Sequence, residues 1–182
     1  MIILDSSKKR YRLRIVVPAY PAFNIYSFIA QRTTALGPVC VASAVNEMEE
    51  WDVEVIDENN LRRYGPRSNE GGADHEFLQK IRPADVVGLY GGLTSTIPRL
   101  YKVAQFYKRK GVVTIAGGQH FIEDNIAEAL SSGIDYVVIG EGEETIREFL
   151  NALERKQNMR GRAFAHEEIP LEDNLVNRKE NE

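Results

Sequence analysis

Apolar residues gather in five short runs, each ending in a turn of small or cyclic residues. The runs are Leu13-Arg14-Ile15-Val16-Val17, Val53 to Asp57, Asp85 to Tyr90, Val112 to Ala116, and Tyr136 to Ile139. Continuous apolar runs of this length suit strands covered on both faces. Between them the apolar positions recur at helical spacing. Val41, Ala44, Val45 and Met48 share one face of a helix that Pro38 opens and that runs to about Glu50. A short helix is predicted over His75 to Ile81, stopped by Pro83. A longer one follows over Ile97 to Lys110, with Leu100, Val103, Ala104 and Tyr107 inward and Gly111 after its end. Asp124 can cap a helix through Leu130, ended by Gly133. Glu144 to about Arg155 forms the last helix, with Glu143 and Glu144 in its first turn, where negative charge is favourable. Strand–helix alternation on this scale predicts a doubly wound, five-stranded parallel sheet with right-handed crossovers and strand order 2-1-3-4-5. Residues 1–12 read as a flexible or edge segment.

Such a sheet is Rossmann/flavodoxin-like, and it binds ligands at the C-terminal ends of its strands. The loops there are therefore the place to look for chemistry. Pro18-Ala19-Tyr20-Pro21 has no glycine, so it cannot serve as a Gly-x-Gly-x-x-Gly dinucleotide loop. It also lacks the hydroxyl-rich turn of a flavodoxin phosphate site. Leu89-Tyr90-Gly91 has no aspartate for a phosphoacceptor. Small residues recur instead at three strand ends: Gly91-Gly92, Gly117-Gly118, and Gly140 with Gly142. Each pair alone could serve only its turn. Strands three, four and five are neighbours in the predicted order, and together their missing Cβ atoms predict a slot for a large, flat or elongated ligand.

Composition narrows the classes further. The 182 residues suit a single domain, here residues 1–155, with 156–182 as a charged linker or tail. A net charge of −4 offers no basic footprint for nucleic acid. No apolar run reaches the roughly 18 residues needed to span a bilayer, and Met1 to Arg14 lacks a signal-peptide apolar region, so no membrane association and a cytoplasmic location are expected. The single cysteine, Cys40, rules out an internal disulfide and a thiolate-held iron–sulfur cluster within these residues. Its place in Val39-Cys40-Val41-Ala42 predicts a small core residue.

Several blocks together resemble the cobalamin-binding domain that precedes the catalytic barrel in many radical S-adenosylmethionine enzymes. They are Leu36-Gly37-Pro38, Val53 to Asp57, Val86 to Leu89 followed by Leu93-Thr94-Ser95-Thr96, Ala116-Gly117-Gly118-Gln119-His120, and Asp135 to Glu143. The resemblance covers about residues 13–155, and its last two blocks are the most specific. It implies a corrinoid on the C-terminal edge of the sheet, held by Ala19, Tyr20, Pro21, Leu36, Gly37, Tyr90, Gly91, Gly92, Leu93, Thr94, Ser95, Gly117, Gly118, Gln119, His120, Gly140, Glu141 and Gly142. The nucleotide tail would enter beside Tyr90 to Ser95 and Gly117-Gly118. The Asp-x-His-x-x-Gly element of related domains, whose His ligates cobalt from below, is missing, because residues 18–37 contain no histidine. No metal ligand and no catalytic residue are therefore assigned to this chain. The tail from Gly161 through Pro170 resembles the linker into a radical barrel. The sequence is thus read as a fragment, with S-adenosylmethionine and a [4Fe-4S] cluster belonging to a covalently attached, missing domain.

Other readings stay open at this point. A Ser-x-Leu element of the family aligns with Tyr90-Gly91-Gly92, and the proline after its Gly-Gly-x-His block is Phe121 here. The domain could therefore be a cofactor-free recognition or interaction module, with Tyr90 filling the tail slot. His120 could act in acid–base chemistry or simply hydrogen-bond within its turn. Glu141 is the better candidate than Glu143 for a ligand contact. Tyr20, Phe23 and Tyr26 could cover a flat ligand or pack their loop against the domain. A free-standing enzyme is the weakest reading, for no nucleophile–base pair or metal cluster is visible.

Overall fold

The computed structural model describes residues 9–21, 33, 35–61, 66–69, 71–160 and 175–177; side chains are described only within residues 9–155. The expected aromatic cover by Phe23 and Tyr26, and the linker-like stretch from Gly161, lie outside the described residues.

Five parallel strands form the sheet in the order predicted. They are β1 (Tyr11–Val17), β2 (Trp51–Asp57), β3 (Val86–Tyr90), β4 (Val113–Gly117) and β5 (Tyr136–Val138), arranged 2-1-3-4-5. The helices are α1 (Leu36–Asn46), α2 (His75–Ile81), α3 (Ile97–Arg109), α4 (Ile126–Ser131) and α5 (Glu143–Arg160). Strand alternation sorts the core into two layers. Leu13, Ile15, Val86, Val113, Ile115, Tyr136 and Val138 face α1 and α5, where Val45, Ile146, Phe149 and Leu150 meet them. Val16, Val87, Leu89, Ala116 and Val137 face α3 and α4, against Leu100, Val103, Tyr107 and Leu130. Arg147 ties α5 to α1 through the Ala44 carbonyl, 2.9 Å from its Nε.

A sixth strand, β6 (Leu175–Asn177), runs antiparallel to β5 at the sheet edge. It was not expected, because three residues inside a charged tail carry no readable alternation. Several boundaries also move: β1 and β2 begin two residues earlier than expected, at Tyr11 and Trp51, so Tyr11 and Arg12 belong to the sheet rather than to a flexible segment. α1 stops at Asn46 rather than near Glu50, α5 continues to Arg160, and a 3-10 turn over Glu123–Asn125 precedes α4.

Cys40 corrects a prediction: it is exposed. The inward face of α1 is carried by Pro38 and Val45, with Val41 half-buried. That phase turns Leu36, Val39 and Cys40 outward.

The second layer holds a charge that the pattern of apolar runs conceals. Arg14 lies mid-strand in β1 and is fully buried. Its Nε donates to Glu54 at 2.6 Å, Nη1 to the Tyr107 hydroxyl at 2.8 Å, and Nη2 to the Leu78 carbonyl at 3.2 Å. A buried guanidinium is tolerated only when its donors are used in this way. Arg14→Met keeps much of the side-chain volume but leaves the Tyr107 oxygen without its donor and Glu54 with only Arg82, at 3.5 Å. It should lower unfolding stability by about 3 kcal/mol, read as a lower urea midpoint at unchanged m-value.

Candidate functional site

The site is built at the C-terminal ends of the strands, where the two halves of the sheet diverge between β1 and β3. A cleft of about 750 Å³ opens there between the sheet and the helices α1 and α5. Its floor is made of Leu13, Ile15, Gly88 and Ile115, all on the α1–α5 face of their strands. Gly88 is a mid-strand glycine, and a Cβ added to it would lie 3.5 Å from Ile15 Cγ1. Its missing side chain deepens the cleft. Pro38, Val41 and Ile146 line it from the helices, and Gly117, Gly140 and Gly142 line its mouth. The lining is apolar apart from Tyr90, Gln119, Glu141 and Glu143. An apolar slot with a few polar groups at its rim suits a largely flat, heteroaromatic ligand part.

The glycines do two different jobs. Gly118 has φ +118°, and a Cβ there would come within 2.8 Å of the Gly91 carbonyl oxygen, so no other residue fits where the β3 and β4 loops touch. A Cβ at Gly91 would collide with Phe121 at 2.5 Å, and one at Gly92 with the Tyr90 ring at 2.5 Å. These two make room for neighbouring aromatics. Gly140, by contrast, has open space around its missing Cβ. The β3 and β4 loops are joined by Gly91 N–H to the Gly117 carbonyl at 2.8 Å and by His120 N–H to the Gly91 carbonyl at 2.9 Å.

Tyr90 stands between this cleft and a smaller pocket of about 260 Å³ and lines both. Its ring lies over Gly37, whose built Cβ would be 3.5 Å from Cε2. The smaller pocket is bordered by the ends of β1 and β2 and includes Val17, Pro18, Tyr20, Asp57, Asn59 and Leu93.

The loop after β1 is held from β2. Asn59 Oδ1 accepts from Tyr20 N–H at 2.9 Å, and Asn59 Nδ2 donates to the Pro18 carbonyl at 3.1 Å. Glu58 accepts from Ala19 N–H at 2.9 Å, from Ala73 N–H at 2.8 Å, and from Arg99 in a two-pronged pair at 2.9 and 2.6 Å. His75 completes the cluster, with Nε2 3.0 Å from Glu58 and Nδ1 2.9 Å from the Tyr107 hydroxyl. The pattern closes if Nε2–H donates to the carboxylate and Nδ1 accepts from Tyr107, whose oxygen accepts from Arg14.

With this geometry in place, a scan against protein families matches residues 28–150 to the B12 binding domain. The chain belongs to that family. No curated protein gave a significant match. Among solved structures, the radical S-adenosylmethionine methyltransferase TsrM from Kitasatospora setae, with cobalamin and a [4Fe-4S] cluster bound, superposes with TM-score 0.61 at 21% identity. That match covers 92% of this chain but only 29% of TsrM. TsrM with tryptophan substrate and the S-adenosylmethionine analogue aza-SAM gives TM-score 0.57 at 21% identity, covering 80% of this chain and 26% of the neighbour. The B12-binding domain described here thus spans less than a third of the length of that methyltransferase, and at this identity the likeness concerns the fold.

The expected site residues divide by position. Leu36, Gly37, Tyr90, Gly117, Gly118, Gln119, Gly140, Glu141 and Gly142 line the large cleft. Tyr20, Gly92 and Leu93 line the smaller pocket with Tyr90. Ala19, Pro21, Gly91, Thr94, Ser95 and His120 line neither. His120 is occupied within its loops, with Nδ1 3.3 Å from Thr94 Oγ1 and its carbonyl accepting from Asn125. Sequence reading missed the floor, Leu13, Ile15, Gly88 and Ile115, and the helix walls Pro38, Val41 and Ile146. A glycine in the middle of the third apolar run was the one signal that could have exposed the floor. It also missed Glu58 and Asn59, which read as loop polarity. Among the described residues no cluster of three or more His, Cys, Asp or Glu could hold a metal ion, and no helix is long and apolar enough to cross a membrane.

Burial pushes the Glu58 carboxyl up, but the hydrogen bonds from Arg99 and His75 outweigh it and bring the pKa down from 4.5 to about 2. The folded pKa is the lower one, so Glu58 contributes stability above pH 4.5 that is lost as the pH falls toward 2. Glu58→Gln should be less stable at pH 7 by about 2–3 kcal/mol. It should also lose less of its remaining stability between pH 5 and 2 than the unsubstituted protein, as measured by urea titrations across that range.

Proposed function

We propose that this B12-binding domain is a corrinoid-binding module that holds cobalamin at the C-terminal edge of the sheet, for use by a radical S-adenosylmethionine barrel in the same full-length protein. The observation that carries the reading is the open cleft between the sheet and helices α1 and α5, with an apolar floor and a glycine mouth. A slot of that size and lining fits the nucleotide tail of the cofactor. Tyr90 does not plug the slot; its ring rests between Gly37 and Gly92. That position weighs against a cofactor-free recognition module. Leu36, Gly37, Gly117, Gly118 and Gly140 would hold the tail by close backbone approach, and Gln119 and Glu141 would meet its polar groups at the rim. Bound cobalamin supplies methyl-transfer or radical chemistry at cobalt. The chain's own residues bind and orient it, while S-adenosylmethionine and the [4Fe-4S] cluster belong to the barrel, since this sequence has one cysteine.

The reading also assigns no protein histidine beneath the cobalt. Neutral imidazole is the side chain best suited to ligate such a metal near pH 7. Among the described residues, His75 is buried against Glu58 and Tyr107 and His120 lines neither cavity; His166 lies outside them. The described residues would hold a bound corrinoid without supplying a lower ligand, a role that would be left to water or to nothing.

Two measurements test these statements. Purified protein mixed with hydroxocobalamin or methylcobalamin and then desalted should retain the corrinoid. Gly117→Leu, which puts a side chain into the mouth of the cleft, should weaken retention roughly tenfold, ~1.4 kcal/mol, with the far-ultraviolet circular dichroism unchanged. Loss of both corrinoids by the unsubstituted protein would sink the reading. For the ligation, electron paramagnetic resonance of the cob(II)alamin-loaded protein should be the same in His120→Ala. Nitrogen superhyperfine splitting that disappears in that variant would overturn the assignment.

A further inference from the structure

The smaller pocket carries a polar feature that the tail cleft does not explain. Asp57 ends β2 and is only 8% exposed. Its Oδ1 accepts both Asn59 N–H at 2.9 Å and Asn59 Nδ2 at 3.1 Å. Its Oδ2 takes no hydrogen bond from any described residue. Among the described residues, no lysine or arginine lines this pocket of about 260 Å³. A carboxylate oxygen that no described group donates to is open to a donor from water or a ligand. Burial pushes the Asp57 carboxyl above its ordinary range, and Asn59 offsets this only in part. The pocket therefore presents an acceptor on a largely buried side chain.

We infer that Asp57 forms a second subsite of the corrinoid site and that its Oδ2 accepts a hydrogen bond from a primary carboxamide on the rim of the corrin. The inference rests on the cobalamin reading above and adds a position to it. Three observations select this ligand. The pocket adjoins the tail cleft, with Tyr90 as the shared wall. It lies where β1 and β3 part, which is where ligands of such sheets sit. Among the described residues that line it, Asp57 is the only charged one, so the pocket offers an acceptor for an N–H donor. The corrin periphery is itself decorated with neutral carboxamide arms that present N–H donors. Asn59 thereby holds two things at once: the carboxylate, by donating its backbone N–H and Nδ2 to Oδ1, and the Pro18–Tyr20 loop that walls the pocket.

The arrangement makes one substitution unusually informative. In Asp57→Asn, both donors of Asn59 still require an oxygen at the Oδ1 position. The amide oxygen must stay there, and the new NH2 group must face the pocket. An acceptor becomes a donor with the turn intact. Spectroscopic titration with hydroxocobalamin should show Asp57→Asn binding about tenfold to a hundredfold more weakly, at an unchanged melting temperature. A panel of cobalamin monocarboxylic acids, each with one carboxamide hydrolysed, extends the test without any variant. The unsubstituted protein should reject one isomer selectively, since two carboxylates would face each other, and Asp57→Asn should recover that isomer. Equal affinity of the two proteins for hydroxocobalamin, with no isomer singled out, would overturn the Asp57 subsite and leave cobalamin binding standing. Failure of the unsubstituted protein to bind hydroxocobalamin at all would overturn both.

Discussion

A carboxylate removed from water has to be surrounded by donors, and Glu58 is the group around which the functional end of this domain is assembled. Its side chain is fully buried, beside Arg99 and His75. The donors come from far apart in the chain: Ala19 after β1, Ala73 before α2, His75 in α2, and Arg99 in α3. Removing any one leaves a buried charge less compensated, so these segments hold their positions together. Through Tyr107 the same cluster reaches Arg14 and Glu54 on β1 and β2. A chain of polar groups thus crosses the layer between the sheet and α2 and α3, opposite the layer that holds the cleft. The two layers divide the labour. One sets the backbone of the strand ends rigidly, and the other leaves volume for a ligand.

The division follows from strand geometry. Alternate residues of β1 point to opposite layers. Leu13 and Ile15 form the cleft floor, while Arg14 between them anchors the polar layer. On β3, Gly88 faces the cleft and Val87 and Leu89 face the α3 layer. A register shift of one residue in β1 would place a guanidinium in the apolar cleft and remove it from Tyr107 and Glu54, and one in β3 would put Val87 or Leu89 where Gly88 leaves space. The cleft and the charge network are therefore mutually exclusive uses of the two faces, and each enforces the register that the other needs.

This also explains which features could be read from the sequence. The five strands, their order and the glycine turns were legible, because burial on both faces leaves apolar runs and tight loops leave glycines. Arg14 was visible only as an interruption in a strand, and its partners are brought to it by tertiary packing. Glu58 and Asn59 sit in a polar stretch where a buried carboxylate is indistinguishable from a solvated one. Gly91 and Gly92 were read as opening a slot. They accommodate Phe121 and Tyr90 instead, a distinction that depends on where two rings lie. Cys40 was misjudged because Pro38 and Val45 fix the phase of α1, and a run of four small apolar residues cannot reveal which of them faces inward. β6 joins the sheet through three residues whose local pattern carries no signal.

Tyr90 links these arguments to the ligand. Its ring lies against Gly37 and Gly92 and borders both cavities. A serine at that position would join the cleft and the smaller pocket into one space, whereas the tyrosine keeps them separate. On the proposed binding mode, a ligand resting on this edge would enter two compartments of different character: an apolar slot with a glycine mouth, and a small pocket lined by a carboxylate. Few molecules have a long heterocyclic tail and short neutral amide arms on one flat frame. The corrinoids do, and the pairing of the two compartments constrains the ligand more tightly than either cavity does alone.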